Sequence, residues 1–165
     1  MDLLDRLLDH DRWTTARVLD LSRGLSDAEL DRRFDIGHAT LRATYEHMIF
    51  SLEVWTSGMV GQRLMSESDD LSVATLFERH ERIYPIFADI ARRMQDEQRL
   101  DETFVDPWID SPVTLRTFGT GTAHVLLHDM QHRSETLHIL KRLGVTDLPD
   151  GDPKEWEEAN QIVQG

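Results

Sequence analysis

HDMQHRSETLH, residues 128–138, carries three histidines at the spacing of HExxHxxGxxH, the motif through which one group of zinc proteases, the metzincins, binds its metal. In that motif a glycine after the second histidine stops the helix, and the chain turns back to deliver the third ligand. Here Glu135 stands at the glycine position and the shorter Asp129 replaces the catalytic glutamate. Arg133, Thr136, Leu137, Leu140 and Lys141 carry the helical pattern onward. A step of about 100° per residue then turns His138 well away from the direction shared by His128 and His132. The stretch reads as the middle of one long helix, not as a protease site.

Working outward, this helix runs from about Thr122 to Leu143, with Gly144 as its cap. Upstream, Leu3, Leu4, Leu7, Leu8, Val18 and Leu19 recur at helical spacing and predict a first helix over about 2–23. Ser26 and Glu29 form a capping-box pattern for a short turn. Leu41, Tyr45, Met48, Leu52, Trp55 and Met59 mark a second helix from Thr40, closed by Gly58 and Gly61. A third follows Val73, Leu76, His80, Ile83, Phe87, Ile90 and Met94, with a kink expected at Pro85. Between about 100 and 120, DPWIDSP and GTG read as turns, with TFV and VTL as loop or a small hairpin. Asp152, Pro153 and Glu155 open a last short helix that Trp156 would pin down. No repeat or second domain is visible, so the chain reads as one all-α domain over 1–165: a four-helix bundle with short extra helices.

Composition bounds the function. The 165 residues include 18 Lys+Arg against 31 Asp+Glu, a formal charge of −13 that disfavours nucleic acid and anionic membrane surfaces as partners. With no cysteine, any metal must be held by imidazole or oxygen. MDLLDRLLDHDRW mixes acids into its apolar residues and is no signal peptide, and no later run approaches a membrane span. A soluble cytoplasmic protein is expected.

Of the eight histidines, His128 and His132 stand at i and i+4, so their imidazoles project from adjacent turns of one helix face and can reach one ion. An open mononuclear site needs a third ligand from another helix. His47 is the natural choice, at the edge of the second helix's apolar stripe beside Thr44 and Ser51, where a side chain looks into a seam. His80, on the apolar stripe of the third helix, reads as a hydrogen-bonded core residue and only a reserve ligand. His10, His38, His124 and His138 read as solvated or capping residues, and Met48, Met59 and Met94 as core filler.

LLDHDRWTTARVLDLSRGLSDAEL, TLRATYEHMIFSLEVW and AHVLLHDMQHRSETLHILKRLG together resemble the DinB-like (DinB/YfiT-like) family of small four-helix metalloproteins. The resemblance covers most of the chain. It implies that His47, with the HxxxHR pair His128 and His132, binds one divalent metal; zinc or nickel suits such a site best, and iron, copper and manganese are also compatible. The family usually has Asn where Leu127 stands and Gly-Gln where Ser134 and Glu135 stand, departures that leave the ligands intact.

Three neutral imidazoles leave a coordination position open, as in catalytic sites. An ion so held brings the pKa of bound water to about 7 and deprotonates a bound thiol. Family members include transferases of low-molecular-weight thiols such as bacillithiol. The resemblance thus implies a thiol S-transferase, or a related hydrolase, acting on a small-molecule electrophile with an external low-molecular-weight thiol; the alternative is a metal-binding stress-response protein without turnover. Asp129 and Glu135 lie near the ligands in sequence, though solvated helix acids are the plainer reading, and Trp108 is either a pocket wall or a loop anchor. Leu126, Met130 and Leu137 give the last long helix a second apolar side, and a homodimer through it fits both that pattern and the family's habit.

Overall fold

The computed structural model describes residues 1–108 and 111–161. Its four long helices are α1 (Leu3–Leu21), α3 (Leu41–Val60), α4 (Val73–Asp96) and α5 (Phe118–Arg142). The short helices α2 (Asp27–Leu30) and α6 (Pro153–Ala159) stand where Ser26 and Asp152 cap them. Side chains of Asp2, Thr40, Ser72 and Thr117 satisfy the first free amides of the long helices. Gly61, at φ +72°, supplies the left-handed residue that ends α3. Helix α4 continues on both sides of Pro85.

Around the bundle the order is α1, α4, α3, α5, each packing on the next, with α5 closing back on α1. Apolar side chains form two clusters. One holds Leu8, Leu52, Ile83, Phe87 and Val125; the other holds Leu19, Leu41, Met48, Leu76 and Ile139. On three of the helices the residues between the clusters are buried yet polar: Asp11, Thr14 and Thr15 on α1, Arg79 and His80 on α4, Asp129, His132 and Arg133 on α5. A polar belt therefore crosses the middle of the bundle.

The 100–120 segment holds the expected small hairpin but not the second of its expected turns. β1 (Thr103–Val105) and β2 (Leu115–Thr117) pair antiparallel, with Thr103 opposite Thr117, Phe104 opposite Arg116 and Val105 opposite Leu115. α5 begins at Phe118, directly after β2, so GTG lies inside the helix and not in a turn. Close packing explains its glycines. A Cβ on Gly121 would sit 2.6 Å from Met59 Cε and 2.9 Å from Phe104 Cζ, and one on Gly119 would sit 3.3 Å from the Leu100 carbonyl oxygen. The hairpin and α3 press against the first turn of α5, and only glycine leaves room.

The second apolar side of α5 is partly covered by the chain itself. Leu137 packs into the core, 3.3 Å from the Cβ position of Gly151, whereas Leu127 and Met130 stay 60% and 54% exposed.

Gly121→Val should lower stability by about 1–3 kcal/mol through overpacking. Gly24→Ala, with nothing within 4 Å of the added carbon, should leave it nearly unchanged. Urea midpoints of the two variants, compared at constant m, check the contrast.

Candidate metal centre

Helices α3 and α5 pack side by side, and three histidines meet in their seam. The Nε2 atoms of His47 and His128 are 3.0 Å apart. The ring of His132 lies 4.9 Å from that of His47 and 4.4 Å from that of His128, centre to centre. Two nitrogens bound to one ion at about 2.0–2.1 Å are themselves about 3.0–3.4 Å apart in tetrahedral or octahedral geometry, so this spacing fits a shared cation. The three ring planes are inclined to one another at 46°, 77° and 75°.

A fourth imidazole joins them. His38, read from the sequence as solvated or capping, is exposed on the loop before α3 but stacks on His47 at 3.8 Å and 27°. Ligand atoms of His38, His47 and His132 all lie within 4.8 Å of one another, a grouping that omits His128. Ring direction favours the other set. A ligand nitrogen must point at its ion within the ring plane, and two nearly parallel stacked rings aim past each other. The signal for His38 was its place between Gly37 and the cap Thr40, where a short loop returns it over His47.

Glu135 has a definite task. Its Oε2 lies 2.7 Å from His132 Nδ1, which leaves Nε2 for the seam, the carboxylate–imidazole arrangement that orients metal-binding histidines. Gly37, at φ +57°, lets the loop lie against this carboxylate, because a Cβ there would come within 2.7 Å of Oε2. Asp129 is no solvated acid either. It is buried in the belt, its Oδ1 3.4 Å from His128 Nδ1, and burial together with the charge of Asp11 raises its carboxyl well above the usual range. Arg133 is buried against Asp11 and also reaches Thr15 Oγ1 at 3.2 Å.

The remaining histidines separate cleanly. His80 is a core residue on α4, as its stripe implied, but neither ring nitrogen has a hydrogen-bond partner among the described residues; Glu81 Oε1, 3.3 Å from Nδ1, lies off the N–H direction. His10 is buried, not solvated, with Nε2 3.1 Å from the Gly151 carbonyl oxygen. His138 is exposed beside Lys141 and Val145. His124, although exposed, sits against Trp55 at 4.7 Å and next to His128 at 5.5 Å.

Beside His47 and His128 opens a pocket of about 420 Å³, walled by Trp55, Trp108, Arg116 and His124. Trp108 is both wall and anchor: its amide donates to Asp106 Oδ1 at 2.9 Å, and its ring meets Phe50 edge-on at 5.8 Å. Asp106 and Arg116 were not singled out in the sequence, where a loop acid and a strand arginine carry no spacing signal.

Burial, then the proximity of His38, His128 and His132, pushes the His47 imidazole down to about 4. His38, His124 and His128 are lowered as well, with burial the largest cause for each. The folded state therefore holds these rings neutral at neutral pH, the form a metal requires. Their depressed values give stability that is present above the unfolded histidine value of about 6.5 and lost as pH falls toward 4. Metal-free protein should accordingly lose chemical stability between pH 7 and pH 4.5, and His47→Ala should make that slope shallower. Denaturation midpoints across the range check both.

Comparison with known proteins gives one family and one fold. The family model described as the DinB superfamily matches residues 10–136. A crystal structure of a DinB-like protein from Bacillus cereus ATCC 10987 superposes with a TM-score of 0.63 at 19% identity, covering 85% of this chain and 89% of that one. No curated protein matches. No described helix is long and apolar enough to cross a membrane. With most of its length matched by the family model and its bundle shared with a solved member, the chain belongs to the DinB superfamily.

Proposed function

We propose that this DinB-like protein is a metal-dependent enzyme that binds one divalent cation through His47, His128 and His132 and acts on a small electrophile, as a low-molecular-weight thiol S-transferase or a related hydrolase. The observation that carries the reading is the 3.0 Å approach of the Nε2 atoms of His47 and His128, with the His132 ring 4.9 Å and 4.4 Å from theirs, centre to centre. Imidazole donors suit zinc and nickel, and also iron, copper or manganese. Bound there, the ion would supply Lewis acidity and a lowered pKa to a coordinated thiol or water.

The protein's own groups would do the rest. Glu135 keeps His132 oriented. His38, stacked on His47, shields that ring and stiffens it. The adjoining pocket is large enough for part of a small substrate and places it against His128. The rival reading, a metal-binding stress-response protein without turnover, shares the site but predicts no consumption of a thiol.

Tag-free protein should hold about one divalent ion per chain by elemental analysis. His47→Ala, His128→Ala and His132→Ala should each lose most of it, His38→Ala should lose less, and His138→Ala should lose almost none, with helicity by circular dichroism intact. Equal retention in the His47 and His138 variants would sink the assignment. A screen with several thiols and a chromogenic electrophile then separates enzyme from carrier.

A homodimer is the second part of the proposal. Leu7, Leu127 and Met130 rim an apolar groove of about 540 Å³ between α1 and α5, on the side away from the histidine seam, which a second copy would cover. Light scattering at micromolar concentration should give twice the chain mass of 19.1 kDa. Met130→Lys should return the mass to that of a monomer without unfolding the protein.

A further inference from the structure

We infer that Arg116 is the recognition residue of the pocket beside the histidines, and that it takes the carboxylate of a small monoanionic ligand. The inference rests on the reading of that pocket as the substrate site.

It begins with an inverted hairpin. A two-stranded ribbon lying on a helical core ordinarily turns its apolar side chains inward and its polar ones out. In β1–β2 the paired residues Val105 and Leu115 face solvent, 53% and 56% exposed. Arg116 is directly opposite Phe104, which is buried, and side chains directly opposite in an antiparallel pair share a face. The arginine therefore occupies the inner face, where packing alone would select a hydrophobe.

Its charge is placed, not merely tolerated. Asp106, 4% exposed, accepts the Trp108 amide with Oδ1 and Arg116 Nε with Oδ2 at 2.8 Å, while its own amide donates to the Thr114 carbonyl at 2.8 Å. Every polar group of Asp106 that could drift is thus tied down except the carbonyl. The guanidinium is engaged through Nε alone, and its two Nη groups have no acceptor among the described residues. That edge carries paired N–H donors in the geometry of a carboxylate. At 38% side-chain exposure it is reachable, and it lines the same pocket as His47 and His128.

Charge and shape narrow the ligand. In a chain of formal charge −13 a pocket with an available guanidinium is a local exception, and it selects for an anion that the rest of the surface repels. Asp106 already balances the formal charge of Arg116, so the free Nη edge suits a single carboxylate and disfavours a dianion. Trp55 and Trp108 supply flat apolar walls for the body that carries the carboxylate.

Phenylacetate and its neutral amide, phenylacetamide, are suitable probes, with the fluorescence of Trp55 and Trp108 as the readout. Wild-type protein, metal-free and zinc-loaded, should bind the acid at least about tenfold more tightly than the amide, the scale of a charge-assisted bidentate contact. Arg116→Ala should abolish that preference in both forms, and Arg116→Lys should retain only part of it. Arg116→Gln, which keeps a planar polar group without the charge, serves if the alanine variant loses its helical signal, and it should abolish the preference too. An unchanged preference in the Ala or Gln variant overturns the inference, as does a wild type indifferent to the charge. A preference seen only with zinc and surviving the loss of Arg116 places the carboxylate elsewhere and overturns it as well. Because the metal-free arm needs no ion, failure of metal binding shows up separately as absent zinc.

Discussion

The buried ion pair between Asp11 on α1 and Arg133 on α5 sets the rotation of the helix on which everything else depends. Both side chains are nearly inaccessible, so the pair has no solvent to fall back on. Removing one partner from such a pair leaves an uncompensated charge, at a cost of about 3–5 kcal/mol. Helix α5 cannot roll without incurring that cost. With Arg133 held toward α1, the helical step turns His128 and His132 toward α3, where His47 waits. The polar belt that separates the two apolar clusters thus sets the register of the histidine seam.

The seam itself works by contrast between two kinds of neighbour. Burial keeps His47 and His128 neutral, while Glu135 contributes a carboxylate to the outer nitrogen of His132. Neutral donors backed by a single acid would leave the charge of a cation bound there largely unspent. The carboxyl of Asp129 stays protonated more readily than an exposed one, so the belt behind His128 adds little negative charge to compete.

Much of this was legible in the sequence because it follows a period. The four long helices and the shared face of His128 and His132 come from spacings of three and four residues, and the choice of His47 from its place at a stripe edge. What stayed hidden depends on contacts between elements. GTG reads as a turn until Phe104 and Met59 are placed against it, and Asp129 reads as a solvated acid until the belt of Asp11 and Arg133 is found around it. His38 belongs to no helix, so no period points to it. Leu137 looked like part of an open face because nothing in the pattern places Gly151 over it.

The absence of any connecting residue between β2 and α5 has a mechanical result. The strand that bears Arg116 and the helix that bears His128 form one continuous lever, with Gly121 as the point where it bears on the bundle. Residues 106–114, by contrast, link two strands whose register is already fixed by their own pairing. Asp106 and Trp108, at the start of that connection, are tied to Arg116 and to Phe50 and so move with the hairpin, which makes the pocket wall and the helix that bears His128 parts of one mechanical unit.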